Sequence, residues 1–290
     1  MTQILRGFVS ISEGQVHYRY AMPPAADHGN LPLWMVHASP ASSIGLVGLM
    51  QQLGRTRAVF APDTLGNGDS APPAPASPDI AYYAQASLRV MDALGIEKAD
   101  LYGSHTGAHI VAEMAIAQPD RFGRMILDGI GMFSAEDKQD LLANYAPAMQ
   151  PDAFGTQFHW AWHFVRDQGW FFPWFRRDAA HLRGTDAPST QALHEVTLEV
   201  LKALGTYHLA YRAAFAHADR ERLPLVRIPT LVMAEDTDPL KAGVAEAVTR
   251  IPGACAWLQE HAGAEGALAD KAERLAAFLA SGEAGQQCIA

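Results

Sequence analysis

Apolar and polar positions change rhythm several times along the chain. Residues 8–22 alternate, with Phe8, Val9 and Ile11 before Glu13-Gly14 and Val16, Tyr18 and Tyr20 after it, which predicts an antiparallel hairpin. Short continuous apolar runs follow at Leu33-Trp34-Met35-Val36, within 57–62 and 98–103, and at Met125-Ile126-Leu127, Thr230-Leu231-Val232-Met233 and Cys255-Ala256-Trp257-Leu258. Runs of this kind suit strands buried on both faces of a sheet. Between them the spacing predicts helices at about 42–53, 79–94, 106–118, one reaching about 250, and 267–279. Asp79 stands where an N-cap belongs, Gly95 where a helix stops, and Pro119 ends the third helix. Strands alternating with helices at this pace imply a parallel sheet with right-handed crossovers.

The rhythm breaks between 133 and 222. The periodicity there is helical, with helices expected at 188–204 and 206–221, no convincing strand, and an aromatic-rich run over 158–175. This predicts an all-helical cap insertion at 133–222 on a core made of 1–132 and 223–290. Residues 23–32 and 71–78 read as loops, and 281–290 as a fraying end.

Charge and cysteine usage narrow the partners. A net charge of −9 argues against nucleic acid and anionic membrane surfaces, which need basic patches. Cys255 and Cys288 lie in unlike contexts, so a structural disulfide is not expected and a reducing compartment fits. No stretch has the apolar length of a signal peptide or a bilayer span, which makes cytoplasm the expectation. The expected partner is a small-molecule substrate, with a homodimer left open.

The stretch that carries chemistry is Gly103-Ser104-His105-Thr106-Gly107, between a strand end and a helix start. It has the layout of a nucleophile elbow, small-x-nucleophile-x-small. The central position is His105. Ser104 sits one place early, where its side chain is expected to point away from the site. A neutral imidazole has a lone pair and a reference pKa near ~6.5. Three roles stay open for His105: nucleophile through an acyl-imidazole, general acid/base without a covalent step, or relic in a silent protein.

Set in order with that elbow, other motifs resemble the α/β-hydrolase superfamily of the helical-cap type, in a branch with His in place of the elbow Ser. His37-Ala38-Ser39-Pro40 is similar to the family's oxyanion loop, with Ala38 in place of glycine. The loop 63–70 is similar to the family's loop after the next strand. Asp238 follows an apolar strand at the place of the family's acid, and His261 stands after the last strand, preceded by Glu260 rather than glycine. The resemblance implies a mostly parallel eight-stranded sheet, catalysis by His105, Asp238 and His261, and an oxyanion hole from the amides of Ser39 and Thr106. It implies that Asp238 orients His261, with Asp128 as the alternative acid and Asp236 able to substitute.

The reaction implied is hydrolysis of an ester, thioester or activated C–C bond in a small hydrophobic substrate. The alternatives are a non-hydrolytic His–Asp enzyme (lyase, decarboxylase or cofactor-free oxygenase) or a catalytically silent binding protein. His37, Trp160 and His163 are the expected pocket residues, and Arg166 a candidate for a substrate carboxylate. His105/His109 and His159/His163 have the i, i+4 spacing of metal ligands but no third ligand cluster nearby, so neither a metal nor a cofactor is expected.

Overall fold

The computed structural model describes residues 2–23 and 29–280. His28, Cys288 and the 281–290 tail lie outside the described residues. The elements run β1 (Leu5–Ile11), β2 (Gly14–Ala21), β3 (Leu33–Val36), α1 (Val47–Leu53), β4 (Val59–Pro62), α2 (Ile80–Ala93), β5 (Ala99–Ser104), α3 (Thr106–Ala117) and β6 (Phe122–Asp128). Then come five helices in succession, α4 (Ala135–Asn144), α5 (Thr156–Trp170), α6 (Thr190–Lys202), α7 (Tyr207–Ala216) and α8 (Asp219–Arg222). The alternation resumes with β7 (Thr230–Glu235), α9 (Gly243–Arg250), β8 (Cys255–Gln259) and α10 (Ala267–Ala280). The helix expected from 42 starts instead as a 3-10 turn, Ser43–Leu46, and only then becomes α1.

One eight-stranded sheet has the order β1-β2-β4-β3-β5-β6-β7-β8. The β1–β2 hairpin and the β2–β4 pairing are antiparallel, and every other pairing is parallel. Side chains alternate across the strands into two layers. Leu101 of β5 faces the layer built with α2 and α3, whereas Tyr102 faces the layer closed by α1 and α10. Burial on both faces explains the continuous apolar runs of β3, β5 and β7, whereas β8, expected to be buried in the same way, is an edge strand with Leu258 exposed.

The helices between β6 and β7 have an aromatic core of their own. Phe164 is fully buried and lies against Trp160, Trp174 and Tyr207. Because α5 through α7 spend their aromatics on this core, most of the rings in the 158–175 run never reach the sheet. The carboxyl ends of β5, β6 and β7 lie under this helical layer, which is where an open α/β sheet places a ligand.

Candidate active site

The strand-to-helix turn after β5 is held by its glycines. A Cβ on Gly103 would lie 2.3 Å from the carbonyl oxygen of Gly107, and one on Gly107 would lie 2.1 Å from that of Val36. Only glycine lets α3 pack this close to β3 and β5. The turn puts His105 at φ 49°, ψ −110°, in the left-handed half of the map. Its amide donates to the carbonyl of Asp128 at 2.8 Å, which ties the elbow to the neighbouring strand.

That backbone aims the His105 ring at the loop after β7. Nε2 of His105 lies 2.9 Å from Oδ2 of Asp238. Asp238 Oδ1 accepts the Leu240 amide at 2.7 Å, so both carboxylate oxygens have donors. Nδ1 of His105 lies 3.1 Å from Oγ of Ser104. The serine expected to point away instead contacts the ring, although it is not part of the cavity wall. Gly129 makes room for the pair: a Cβ there would stand 2.8 Å from Asp238 Oδ2 and 3.0 Å from His105 Nε2.

The electrostatics follow from burial and partnership. Burial pushes the His105 pKa down, but the charge and hydrogen bond of Asp238, with help from Asp128, outweigh it and hold it above the ordinary histidine value. Burial pushes Asp238 up, and the charge and hydrogen bond of His105 more than reverse this, so its carboxyl lies below the usual range. Each partner stabilises the other's charged form. An ionised Asp238 only accepts, so the hydrogen between them belongs to His105 Nε2.

A cavity of about 300 Å³ opens over this pair. Its walls include Ser39, His105, Thr106 and Asp238 from the sheet side, and Phe133, Tyr145, Phe172, Tyr211 and Phe215 from the helical layer. Thr106 begins α3, so its N–H belongs to the first turn, where the helix supplies no acceptor. The cavity also contains Arg183, which sequence reasoning missed. Its Nη1 donates to the Gln168 carbonyl at 2.6 Å and its Nη2 to that of Thr237 at 3.0 Å. Its buried Nε has no partner, and no carboxylate pairs with it among the described residues. The local signal was slight: one arginine in an irregular stretch after the aromatic run.

Several expected site residues stand elsewhere. His261 is exposed, at φ 56°, and its contact with the loop after β7 is its backbone amide on Oδ2 of Asp236 at 2.8 Å. Asp238 therefore contacts His105 and not His261. Asp128 is engaged by Tyr102 Oη at 2.6 Å and Lys271 Nζ at 2.8 Å, which leaves it holding strand and helix together. His37, Trp160 and His163 do not line the cavity. His37 is buried behind the oxyanion loop, with Nδ1 donating to the Ala38 carbonyl and Nε2 accepting the Thr64 amide, both at 2.9 Å. Trp160 stacks on Phe164 at 4.8 Å, and His163 is exposed on α5. Arg166 is spent on Asp167 at 2.7 Å. No helix among the described residues is long and apolar enough to cross a membrane.

A family model described as the alpha/beta hydrolase fold matches residues 32–242, and the chain belongs to that family. Among curated proteins, it is 34% identical over 122 residues to a 2-hydroxymuconate semialdehyde hydrolase of a Pseudomonas species, covering 40% of this chain and 43% of that protein. It is 37% identical over 100 residues to a protein of the same name from Pseudomonas putida, covering 34% of this chain and 36% of that one. The chain thus spans less than half the length of either relative. Among solved structures, an enol-lactonase from Burkholderia xenovorans superposes with a TM-score of 0.68 at 18% identity, covering 95% of this chain and 100% of that one. A carboxylesterase from Bacillus subtilis gives 0.69 at 18% identity, with 97% and 93% covered. At such identity these structures speak for the fold.

Proposed function

We propose that this protein hydrolyses an ester or activated C–C bond in a small substrate that carries a carboxylate, with His105 acting as proton donor from the nucleophile position. The observation that carries this reading is the 2.9 Å contact of His105 Nε2 with Asp238 Oδ2 at the floor of the cavity. A covalent role needs a ring nitrogen with a free lone pair. Here Nε2 keeps its hydrogen on Asp238, and the raised pKa keeps a proton on Nδ1 across a wider pH range. A ring in that state gives a proton to a leaving fragment better than it attacks a carbonyl. The amides of Thr106 and Ser39 would receive the developing oxyanion, and one such donor lowers the barrier by about 2.7–4 kcal/mol.

The carboxylate is argued from Arg183. A guanidinium on a cavity wall that forms no direct ion pair with a carboxylate among the described residues is complementary to an anionic group. The relatives are named as 2-hydroxymuconate semialdehyde hydrolases, and a small carboxylate substrate is in keeping with a cavity of about 300 Å³ with aromatic walls.

A second reading comes from the 3.1 Å contact of Ser104 Oγ with His105 Nδ1, which puts serine, histidine and aspartate in line. In it Ser104 is the nucleophile and His105 its base. One experiment separates the routes. The enzyme is mixed with a carboxylate-bearing activated ester, quenched in acid within one turnover, and digested for mass spectrometry. Direct water attack gives turnover without an adduct and loss of turnover in His105→Ala. An acyl group on His105 or on Ser104 would reject proton donation as the role of His105.

A further inference from the structure

Two imidazoles face the cavity from the start of one helix. His105 caps α3 and His109 lies about one turn further in, and both line the cavity together with Thr106. His109 is only 3% exposed. Its Nδ1 lies 2.6 Å from Oδ1 of Asp219, at the start of α8. Burial pushes the Asp219 carboxyl up, but the charges and hydrogen bonds of His109 and His217 hold it well below the usual carboxylate range. An ionised Asp219 accepts only, so Nδ1 of His109 carries the hydrogen. The hydrogen bond to Asp219 is at Nδ1, none is made by Nε2 among the described residues, and His109 is one of the residues that line the cavity. An imidazole fixed by a buried carboxylate at one nitrogen, with the other left over at a cavity wall, has the construction of a general base.

The pair is braced from behind. His217 Nδ1 lies 2.8 Å from the same Asp219 oxygen, and its Nε2 lies 3.0 Å from Glu113 Oε1. Burial opposes the charge on His217, yet the bonds to Asp219 and Glu113 raise its pKa to about 9, so it is a cation donating through both nitrogens. Arg222 grips both oxygens of Glu113, at 2.6 and 2.7 Å. This network joins α3 to the helical layer and fixes Asp219 where His109 needs it.

We infer that His109, positioned by Asp219, is the general base of this cavity and takes the proton of the attacking water, while His105 is the acid. The inference rests on the hydrolytic reading above. Water oxygen bonds to the substrate carbonyl carbon, its proton passes to His109 Nε2, and the carbonyl electron pair moves to the oxygen facing Thr106 and Ser39. Collapse of that adduct breaks the bond to the leaving atom, which takes a proton from His105. Exchange with solvent then removes the proton from His109 and restores the one on His105, so protons balance over a turnover. Both residues line the same cavity of about 300 Å³, which leaves room for a water and a small carbonyl substrate.

The test replaces water by hydroxylamine, a nucleophile strong enough to attack without prior deprotonation. His109→Gln should lose about 10²–10⁴-fold in kcat for hydrolysis, with KM within a few-fold, and hydroxylamine should restore turnover of the same ester. His105→Ala should not be rescued. His109→Asn is run beside it, with melting curves for both, so that a folding defect in one does not decide the matter. Equal losses for water and hydroxylamine in folded variants would overturn the assignment and leave His109 a structural residue. If wild-type protein turns over no ester with either nucleophile, the hydrolytic reading itself fails. The imidazole ¹⁵N spectrum then judges His109 separately: an Nε2 signal that moves when benzoate fills the cavity supports a cavity-facing nitrogen, and one that benzoate binding leaves unmoved refutes it.

Discussion

Two non-glycine residues among those described have a left-handed backbone, and both are histidines: His105 after β5 at φ 49° and His261 after β8 at φ 56°. The elbow ring lies in the cavity with a partner on each nitrogen, whereas the other ring stands in solvent and that residue is held by its backbone, the amide on Asp236 and the carbonyl on the Ala264 amide. The two aspartates of the loop after β7 are sorted the same way. Asp238 turns inward to His105, and Asp236 turns outward to the amides of His261 and Ala262. Backbone strain therefore marks where the chain turns hard, and the ring's partner marks where the chemistry lies. A histidine at the elbow spans a gap that a shorter side chain would leave for another residue to fill, which relieves His261 of contact with the acid.

The largest expected effect comes from exchanging the two carboxylates. Asp238→Asn should lower kcat by about 10³–10⁴-fold, because the amide no longer fixes the ring's charge and tautomer. Asp236→Asn and His261→Ala should each stay within about two-fold of wild type. Steady-state kinetics on one ester decides it, and a large loss in either of the last two variants would break the comparison. The pH profile sharpens it. The His105 pKa is raised in the folded protein, so the stability that the ring's charge gains beside Asp238 is fully present below the ordinary histidine value and is lost as pH rises through the folded one. Activity that needs the protonated ring should fall over that upper limb, and the limb should move to lower pH in Asp238→Asn.

Next in size is the anion contact. Arg183→Met should raise KM for a carboxylate-bearing ester by about 10–100-fold, the loss of one charge-assisted contact. KM for a neutral ester of the same size should hardly change. Equal effects on both esters would mean that Arg183 shapes the cavity wall, through Gln168 and Thr237, without binding the substrate's charge.

The sheet was legible because buried parallel strands must be short and apolar and the elbow must have glycine at fixed offsets. Gly103 and Gly107 show the reason in their 2.3 and 2.1 Å approaches. Asp238 was legible as the acid of the loop after β7. Which histidine it meets was not, because that depends on the reach of a ring from a left-handed backbone, a property no spacing records. Gly129 held part of the answer, since its missing Cβ leaves the space in which His105 and Asp238 meet. The cavity wall was hardest to read. Trp160 and Phe172 belong to one aromatic run and both pack against the core of the helical layer, yet only Phe172 also reaches the cavity, and no spacing shows which. His109 was visible as i, i+4 to His105, but Asp219 lies 110 positions away along the chain and nothing local joined them.

The smallest effect tests the two histidines by relieving their strain. A left-handed backbone costs a non-glycine residue roughly 1–2 kcal/mol, and the freedom of glycine in the unfolded chain returns about 0.5–1 kcal/mol of that. His261→Gly should therefore stabilise the protein by about 0–1.5 kcal/mol, seen as a small rise in Tm, with kcat unchanged. His105→Gly relieves similar strain but leaves Asp238 buried without its partner, and an unsatisfied group of that kind costs about 1–3 kcal/mol or more. Its Tm should fall while that of His261→Gly rises. If both variants gain stability, the His105–Asp238 contact adds nothing to the fold and exists for its chemistry alone. If both lose, the His261 ring has a partner in solution that its exposed position conceals, and the contrast between the two strained turns fails.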